Sequence, residues 1–415
     1  MNNARSEADD AHEAGQGRTH GRGVLAVTTT EDLRARWILP LALFFGTFAW
    51  SFVYVSLPFY VARVSTLDDA STLRWTGWIL GITPLVTVVM APLWGRWAER
   101  GDPKKLYVVV ELLQGVAFFV MAVARTLPEL FLSRMLLGVM GAASTFAFII
   151  VGRGGGDVRR DVSAIQSAMT VGQVVGPLAG AVAAARLGFQ ISFALGGVIL
   201  LGCAFIVWRG VTYRPAKRAG DWRPRRASLG EVGTACALVL AGSTQVFFLT
   251  AILPQILPPL GVAGPDTLEV GGLIIFATGV AAALGSLAAP RLAELVGDRR
   301  AVVWFLAGSS LFLATLALAP GVWSFGILRF LQMLCIAPVF PLAVAAIAQR
   351  SSGEAIGFVN SSRIGAAFLG PVVATTLLAW GPPALVYLVL ALAGLGTVPV
   401  VAARRAGPRP PEVIS

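Results

Sequence analysis

Charge is scarce in this chain. Asp, Glu, Lys and Arg make up 13% of its 415 residues, 56% are hydrophobic, and mean hydropathy is +0.74. Soluble domains are about 25% charged. A soluble helical protein this apolar would need amphipathic stripes. Uncharged runs of about 20 residues recur instead, the length of a bilayer-crossing helix.

Cysteine and histidine are equally thin. Cys203, Cys236 and Cys335 lie in apolar runs without paired spacing, and His12 and His20 both fall near the N-terminus. A disulfide framework, a metal site and a membrane-embedded imidazole are all excluded as expectations. No G-x-x-x-x-G-K-[ST] loop occurs, which counts against ATP-driven transport. No cluster of His, Asp and Ser suggests an enzyme, and no cofactor is expected. Lysine is confined to Lys104, Lys105 and Lys217, so arginine carries the net charge of +11. In a membrane chain such an excess belongs to cytoplasmic loops, not to nucleic-acid binding.

Twelve apolar spans are present, over about 37–62, 76–95, 106–124, 129–151, 163–185, 189–208, 232–257, 270–289, 301–319, 322–347, 355–379 and 383–402. Kinks are expected at the prolines inside them: Pro84, Pro177, Pro254, Pro338 and Pro371. With the N-terminus in the cytoplasm, inner loops and tails hold 26 Arg and Lys and outer loops hold four; Arg134, Arg329 and Arg363 remain within spans. That asymmetry puts both termini inside. The expected organisation is a disordered tail over 1–35, a six-helix bundle over 36–208, a basic cytoplasmic linker over 209–231, a second bundle over 232–403 and a tail over 404–415.

The two halves repeat. "AERGDPKK" follows the second span and "AELVGDRR" the eighth. Ala98 and Glu99 correspond to Ala293 and Glu294, and Lys104 and Lys105 to Arg299 and Arg300, 195 residues on. The same offset carries Arg134 onto Arg329, and an offset of 194 carries Gly176–Pro177 onto Gly370–Pro371. Three correspondences in register indicate a duplicated six-span unit.

The stretch "GRWAERGDPKK" packs six charges into eleven residues between two apolar spans. Its Gly95, Glu99, Arg100, Gly101, Lys104 and Lys105 resemble the signature after helix two of the major facilitator superfamily. It departs in having Glu where Asp is usual, and in the pair Asp102–Pro103. The resemblance implies an all-α membrane protein with twelve transmembrane helices in two pseudo-symmetric six-helix bundles, and a substrate site between them near the midplane. Gly95 is expected to admit a neighbouring helix. Glu99 and Arg100, repeated by Glu294, Arg299 and Arg300, are expected to latch the inner face in one conformation and release it in the other.

Two further stretches carry the resemblance. "RMLLGVMGAA" resembles the helix-four pattern that implies a role in proton transfer for Arg134, with Gly138, Gly141 and Ala142 as a close-packing face. "GQVVGPLAGA" resembles a motif of efflux antiporters. There Gly172, Gly176, Pro177 and Gly180 imply a helix bend that seals one side while the other opens. The type implied is drug/proton antiporter-like.

Proton coupling needs a carboxylate removed from bulk water. Of 22 acidic residues, Glu111 stands well inside a span, about one and a half turns from its inner end. The first span has no acid, although many drug/proton antiporters carry one there. By depth, Glu111 and Arg134 are not expected to be partners. The cavity should be lined by spans one, four, seven and ten and their neighbours, with Phe48, Phe52, Gln173, Gln245, Gln332, Asn360 and Arg363 as binding candidates. Three arginines within spans against one carboxylate favour a neutral or anionic substrate. The expected function is export of small molecules by alternating access, coupled to protons, by a monomer in the cell membrane. The alternatives are a carrier for sugars or other metabolites, in either direction, and a sensor or lipid-handling protein on the same scaffold.

Overall fold

The computed structural model describes residues 30–153, 158–212, 229–348 and 353–403, and every regular element among them is helical. Hydrocarbon offers no water to backbone N–H and C=O groups, so apolar runs close those bonds internally as helices. The first span is α1 (Thr30–Phe52) with α2 (Ser56–Val64), and the second is α3 (Asp69–Arg100). The third is α4 (Pro103–Val123), the fourth α5 (Leu127–Val139) with α6 (Ala143–Arg153). The fifth and sixth are α7 (Val158–Leu187) and α8 (Phe189–Gly210). The second half repeats this plan. Its seventh span is α9 (Leu229–Phe247) with α10 (Leu249–Ile256), its eighth α11 (Asp266–Val296) and its ninth α12 (Asp298–Thr315). The tenth is α13 (Val322–Ile336) with α14 (Val339–Ala348), the eleventh α15 (Gly353–Trp380) and the twelfth α16 (Pro383–Ala403). Among the described residues eleven spans are long and apolar enough to cross a membrane, and the twelfth is an apolar helix over Pro383–Pro399.

Helix begins at Thr30, ahead of the boundary expected at residue 36. Residues 1–29, most of the expected linker (213–228) and the tail 404–415 lie outside the described residues.

Helix interruptions and prolines mostly fall at different places. Pro84, Pro177, Pro254 and Pro371 sit inside continuous helices, and of the expected five only Pro338 lies at a break. The broken spans are one, four, seven and ten, at residues 53–55, 140–142, 248 and 337–338. The breaks pair across the halves at nearly the offset that relates the two arginines, so the discontinuity itself is duplicated.

The tight turn after span two explains the Asp102–Pro103 departure. Asp102 caps α4, its carboxylate accepting from the N–H of Lys104 (2.9 Å) and Lys105 (3.4 Å), with Pro103 in the first helical turn. The equivalent turn after span eight uses Gly297 at φ 87°, a left-handed conformation open to glycine.

The halves meet along two seams, α3 against α15 and α7 against α11, and glycines gauge the gap. A Cβ at Gly77 would overlap Thr375, and one at Gly81 would come within 2.8 Å of Phe368. Helical spacing puts Gly95 on the same face of α3, about 27 Å further on at 1.5 Å per residue. A Cβ there would meet nothing within 4 Å. At the other seam Gly272 presses on Ala181 and Gly279 on Val174. An apolar cluster joins Val55, Ala181 and Ala184 to Phe248, Leu253 and Ala374 at the same end, and an ion pair from Arg186 to Glu269 (3.0 Å) closes it. The bundles are therefore sealed at the end remote from the termini and parted at the terminal end.

Candidate transport site

A broken span strands backbone carbonyls, and in hydrocarbon each must find a donor. Side chains supply them here. At the break in span four, Trp94 Nε1 donates to the carbonyl of Val139 (2.6 Å) and Gln114 Nε2 to that of Met140 (2.6 Å). Before the break in span seven, Arg329 donates to the carbonyls of Gln245 (2.9 Å) and Val246 (3.0 Å) and also to Gln332. These clusters are duplicated. Trp50, Gln114 and Arg134 each map by 195 residues onto Gln245, Ser309 and Arg329. Trp50 Nε1 donates to Gln114 Oε1 (2.6 Å), and Ser309 Oγ donates to Gln245 Oε1 (2.7 Å), so one bond recurs with its donor reversed.

Both arginines are buried inside their own halves, 4% exposed for Arg134 and 1% for Arg329. Arg134 lies 5.9 Å from the Trp50 ring, and its Nε donates to the carbonyl of Ile79 (3.4 Å). It reaches neither headgroup nor cleft. Gln245 and Gln332, expected in the substrate site, are 0% exposed and fully engaged with Arg329, Ser309 and Ser310, so they are part of the scaffold. The offset relates them once the structure is known: carried by 195 residues, Trp50 and Gln114 fall on Gln245 and Ser309.

Glu111 is sealed more deeply than its place near the helix end suggested, at 2% exposure. Tyr107 donates to its Oε1 (3.0 Å), Oε2 has no partner, and a Cβ at Gly46 would sit 3.2 Å from Oε1. No ion pair joins it to Arg134 among the described residues.

The cleft between the halves receives other side chains. On α7, Gly172, Gly176 and Gly180 pack on the backbone of α1, while Val174 and Pro177 face α11. Exposed Gln173 lies between those faces. Asn360 and Arg363 of α15 are exposed as well. Phe48 is half-buried, tilted against Phe52 at 5.5 Å, and Phe52 itself is buried at 5% exposure beneath Gly180, which removes it from the accessible lining. A pocket of about 130 Å³ opens in the second half, bounded by α9, α11, both pieces of span ten, and Arg363. Ser243 and Ser286 line it, two residues that the sequence reading passed over. Tyr54, at the break in span one, faces Thr250 of α10 across the seam.

A family model for the Major Facilitator Superfamily matches residues 39–271 and again 234–415. The chain belongs to the major facilitator superfamily. It is 25% identical over 354 residues to the uncharacterized MFS-type transporter YuxJ of Bacillus subtilis, covering 81% of this chain and 88% of that one. It is 23% identical over 352 residues to the multidrug resistance protein MdtG of Escherichia fergusonii, covering 81% and 84%. The crystal structure of the nucleoside transporter NupG superposes with a TM-score of 0.72 at 13% identity, covering 89% of this chain and 98% of that one.

The superfamily signature lies at the parted end. Arg100, Gly101 and Lys105 are exposed, as are Glu294, Arg299 and Arg300, while Lys104 is half-buried; the side chain of Glu99 lies outside the described residues. Gly95 admits no neighbour in this conformation, contrary to expectation, because the halves have separated there. α7 runs unbroken through Pro177, and its glycines serve close approach: a Cβ at Gly180 would overlap the Phe52 carbonyl. In α5 and the turn after it, Gly138 and Gly141 pack likewise on Thr83 and Thr87 of α3.

Proposed function

We propose that this facilitator exports small molecules by alternating access, with protons moving the opposite way. One observation carries the reading: two duplicated bundles touch at one end and part at the other. The exposed Gln173, Asn360 and Arg363 are, in this reading, lining residues of the cleft between them. A transporter must present such a path to each side in turn. The excess of Arg and Lys in the loops of the parted end supports a cytoplasmic location for that end and both termini. The conformation is then inward-facing. The signature charges would meet when this end closes, and Arg186–Glu269 would part.

The multidrug names of relatives at 23–24% identity support export. So does the glycine face of α7, which lets the fifth span ride closely on the first. Glu111 is the proton carrier in this reading. It is a carboxylate of α4 that has no counter-cation among the described residues and abuts Gly46 of α1, so a change in its charge bears directly on how the first span packs. Arg134, holding the break-bearing first span through the Trp50 ring, would pass that change on.

Everted membrane vesicles test the whole. Dyes and drugs of varied charge should accumulate only when the chain is present, and collapse of the proton gradient should abolish accumulation. Equal flux with and without the chain would sink the transport reading; accumulation that survives collapse would sink the coupling.

A further inference from the structure

The pocket in the second half has a distinctive make-up. Its walls are apolar: Val239, Val246, Phe247, Ile336 and Phe340 are among them. Three polar side chains break that surface, Ser243, Ser286 and Arg363. No acidic side chain lines it. The guanidinium of Arg363 lies over the Phe340 ring, its carbon 4.7 Å from the centroid. Among the described residues it has neither an ion pair nor a hydrogen bond to protein, and it is exposed to the cleft.

The contrast with the other two arginines within spans is informative. Arg134 and Arg329 are buried inside their bundles, where Arg134 Nε donates to one carbonyl and Arg329 to two, each beside an aromatic ring. Among the described residues Arg363 has no partner beyond the Phe340 ring, and it lies on the wall of what is read here as the substrate path. A cation stacked on an aromatic face retains its in-plane N–H groups for an anion, and a guanidinium grips carboxylate, sulfonate or phosphate oxygens in pairs. The two serine hydroxyls can donate to the same group. Apolar walls around one anchored charge describe a site for an amphiphile.

We infer that this pocket is a recognition subsite for amphipathic organic anions, with the anionic head on Arg363 and the apolar body against the Phe340 and Ile336 side of the pocket. This rests on the reading of the cleft as a substrate path and names the class of molecule that path takes.

The test uses two permanently charged probes sharing one ring system, 1-naphthalenesulfonate and (1-naphthylmethyl)trimethylammonium. Each is measured for binding to the purified full chain in lipid nanodiscs and for flux in everted vesicles. Wild type should bind the anion at least tenfold tighter than the cation. Arg363→Gln should weaken anion binding about tenfold, the loss of one charge-assisted interaction, and leave the cation unaffected. Arg363→Lys should restore part of it. Ser286→Asp, which puts a carboxylate on the same wall, should erase the preference while Arg363 is still present, so the inference survives a poorly folding Arg363→Gln. Equal binding of both probes by wild type, or an unchanged anion preference in Ser286→Asp, would overturn the inference. Flux of other compounds without anion binding would overturn the subsite and leave the exporter standing; anion binding with no flux of any compound would do the reverse.

Discussion

Arg134 and Arg329 occupy equivalent places 195 residues apart, each set against an aromatic ring of the opposing broken span, Trp50 at 5.9 Å and Phe248 at 4.9 Å. Their hydrogen bonds differ. Arg134 makes one long bond to a carbonyl of span two, and Arg329 satisfies two carbonyls of span seven and an amide. Duplication kept the position and the charge while the work diverged.

A difference in stability follows. Arg329→Ala leaves two carbonyls and Gln332 unsatisfied in a dry interior, at a cost of ~2–4 kcal/mol. Arg134→Ala should cost about 1–2 kcal/mol, since one weak bond and a ring contact are lost. Thermal unfolding in nanodiscs orders the two variants, and an equal or reversed order would contradict the geometry.

The glycines of α7 make a second expectation. Gly180→Val places methyl groups on the Phe52 backbone, so spans one and five must part. A loss of ~1–3 kcal/mol or more is expected, with a fall in folded yield. Gly95→Val meets open space in this conformation and should leave thermal stability unchanged. It should nonetheless impair flux, because the opposite conformation closes over that face. Normal flux in Gly95→Val would argue against closure at the signature end.

Trapping the sealed end gives a third. A Cβ at Gly279 would lie 3.2 Å from Val174 Cγ2, so cysteines at 174 and 279 are near enough to bond once the backbones ease apart slightly. With Cys203, Cys236 and Cys335 replaced, oxidation of the 174/279 pair should stop transport and reduction should restore it. Transport by the fully cross-linked protein would rule out motion at this seam.

Arg186 and Glu269 bridge the halves at the same end, in an exposed position where an ion pair contributes only ~0.2–1 kcal/mol. Arg186→Glu should shift the conformational balance two- to fivefold toward opening of that end, as read by spin-label distances across the seam. The charge-swapped double variant should return it. A shift that the swap fails to reverse would assign the effect to something other than the pair.

Glu111→Gln keeps the shape of the side chain and the bond to Tyr107 but removes the titratable proton. Downhill flux should continue, while accumulation against a gradient and its dependence on the proton gradient should both vanish. Gradient-dependent accumulation by Glu111→Gln would remove Glu111 from coupling.

The sequence by itself determined the class and plan. Twelve apolar runs separated by short charged loops read as membrane helices, and correspondences such as Arg134 with Arg329 mark the duplication because each bundle must solve the same packing problem. The expectation that Glu111 and Arg134 stand apart also came from counting residues along helices. What spacing could not supply was rotation. Whether a polar residue faces its own bundle, the cleft or lipid depends on which neighbour each helix face meets, and those neighbours come from distant segments. So Gln245 and Gln332, plausible ligands in sequence, turned inward to Arg329, whereas Arg363, also an arginine within a span, stays exposed over the Phe340 ring. The breaks in spans one, four, seven and ten were hidden for the same reason. The side chains that satisfy their carbonyls come from other spans, and only the folded bundle brings donor and acceptor together.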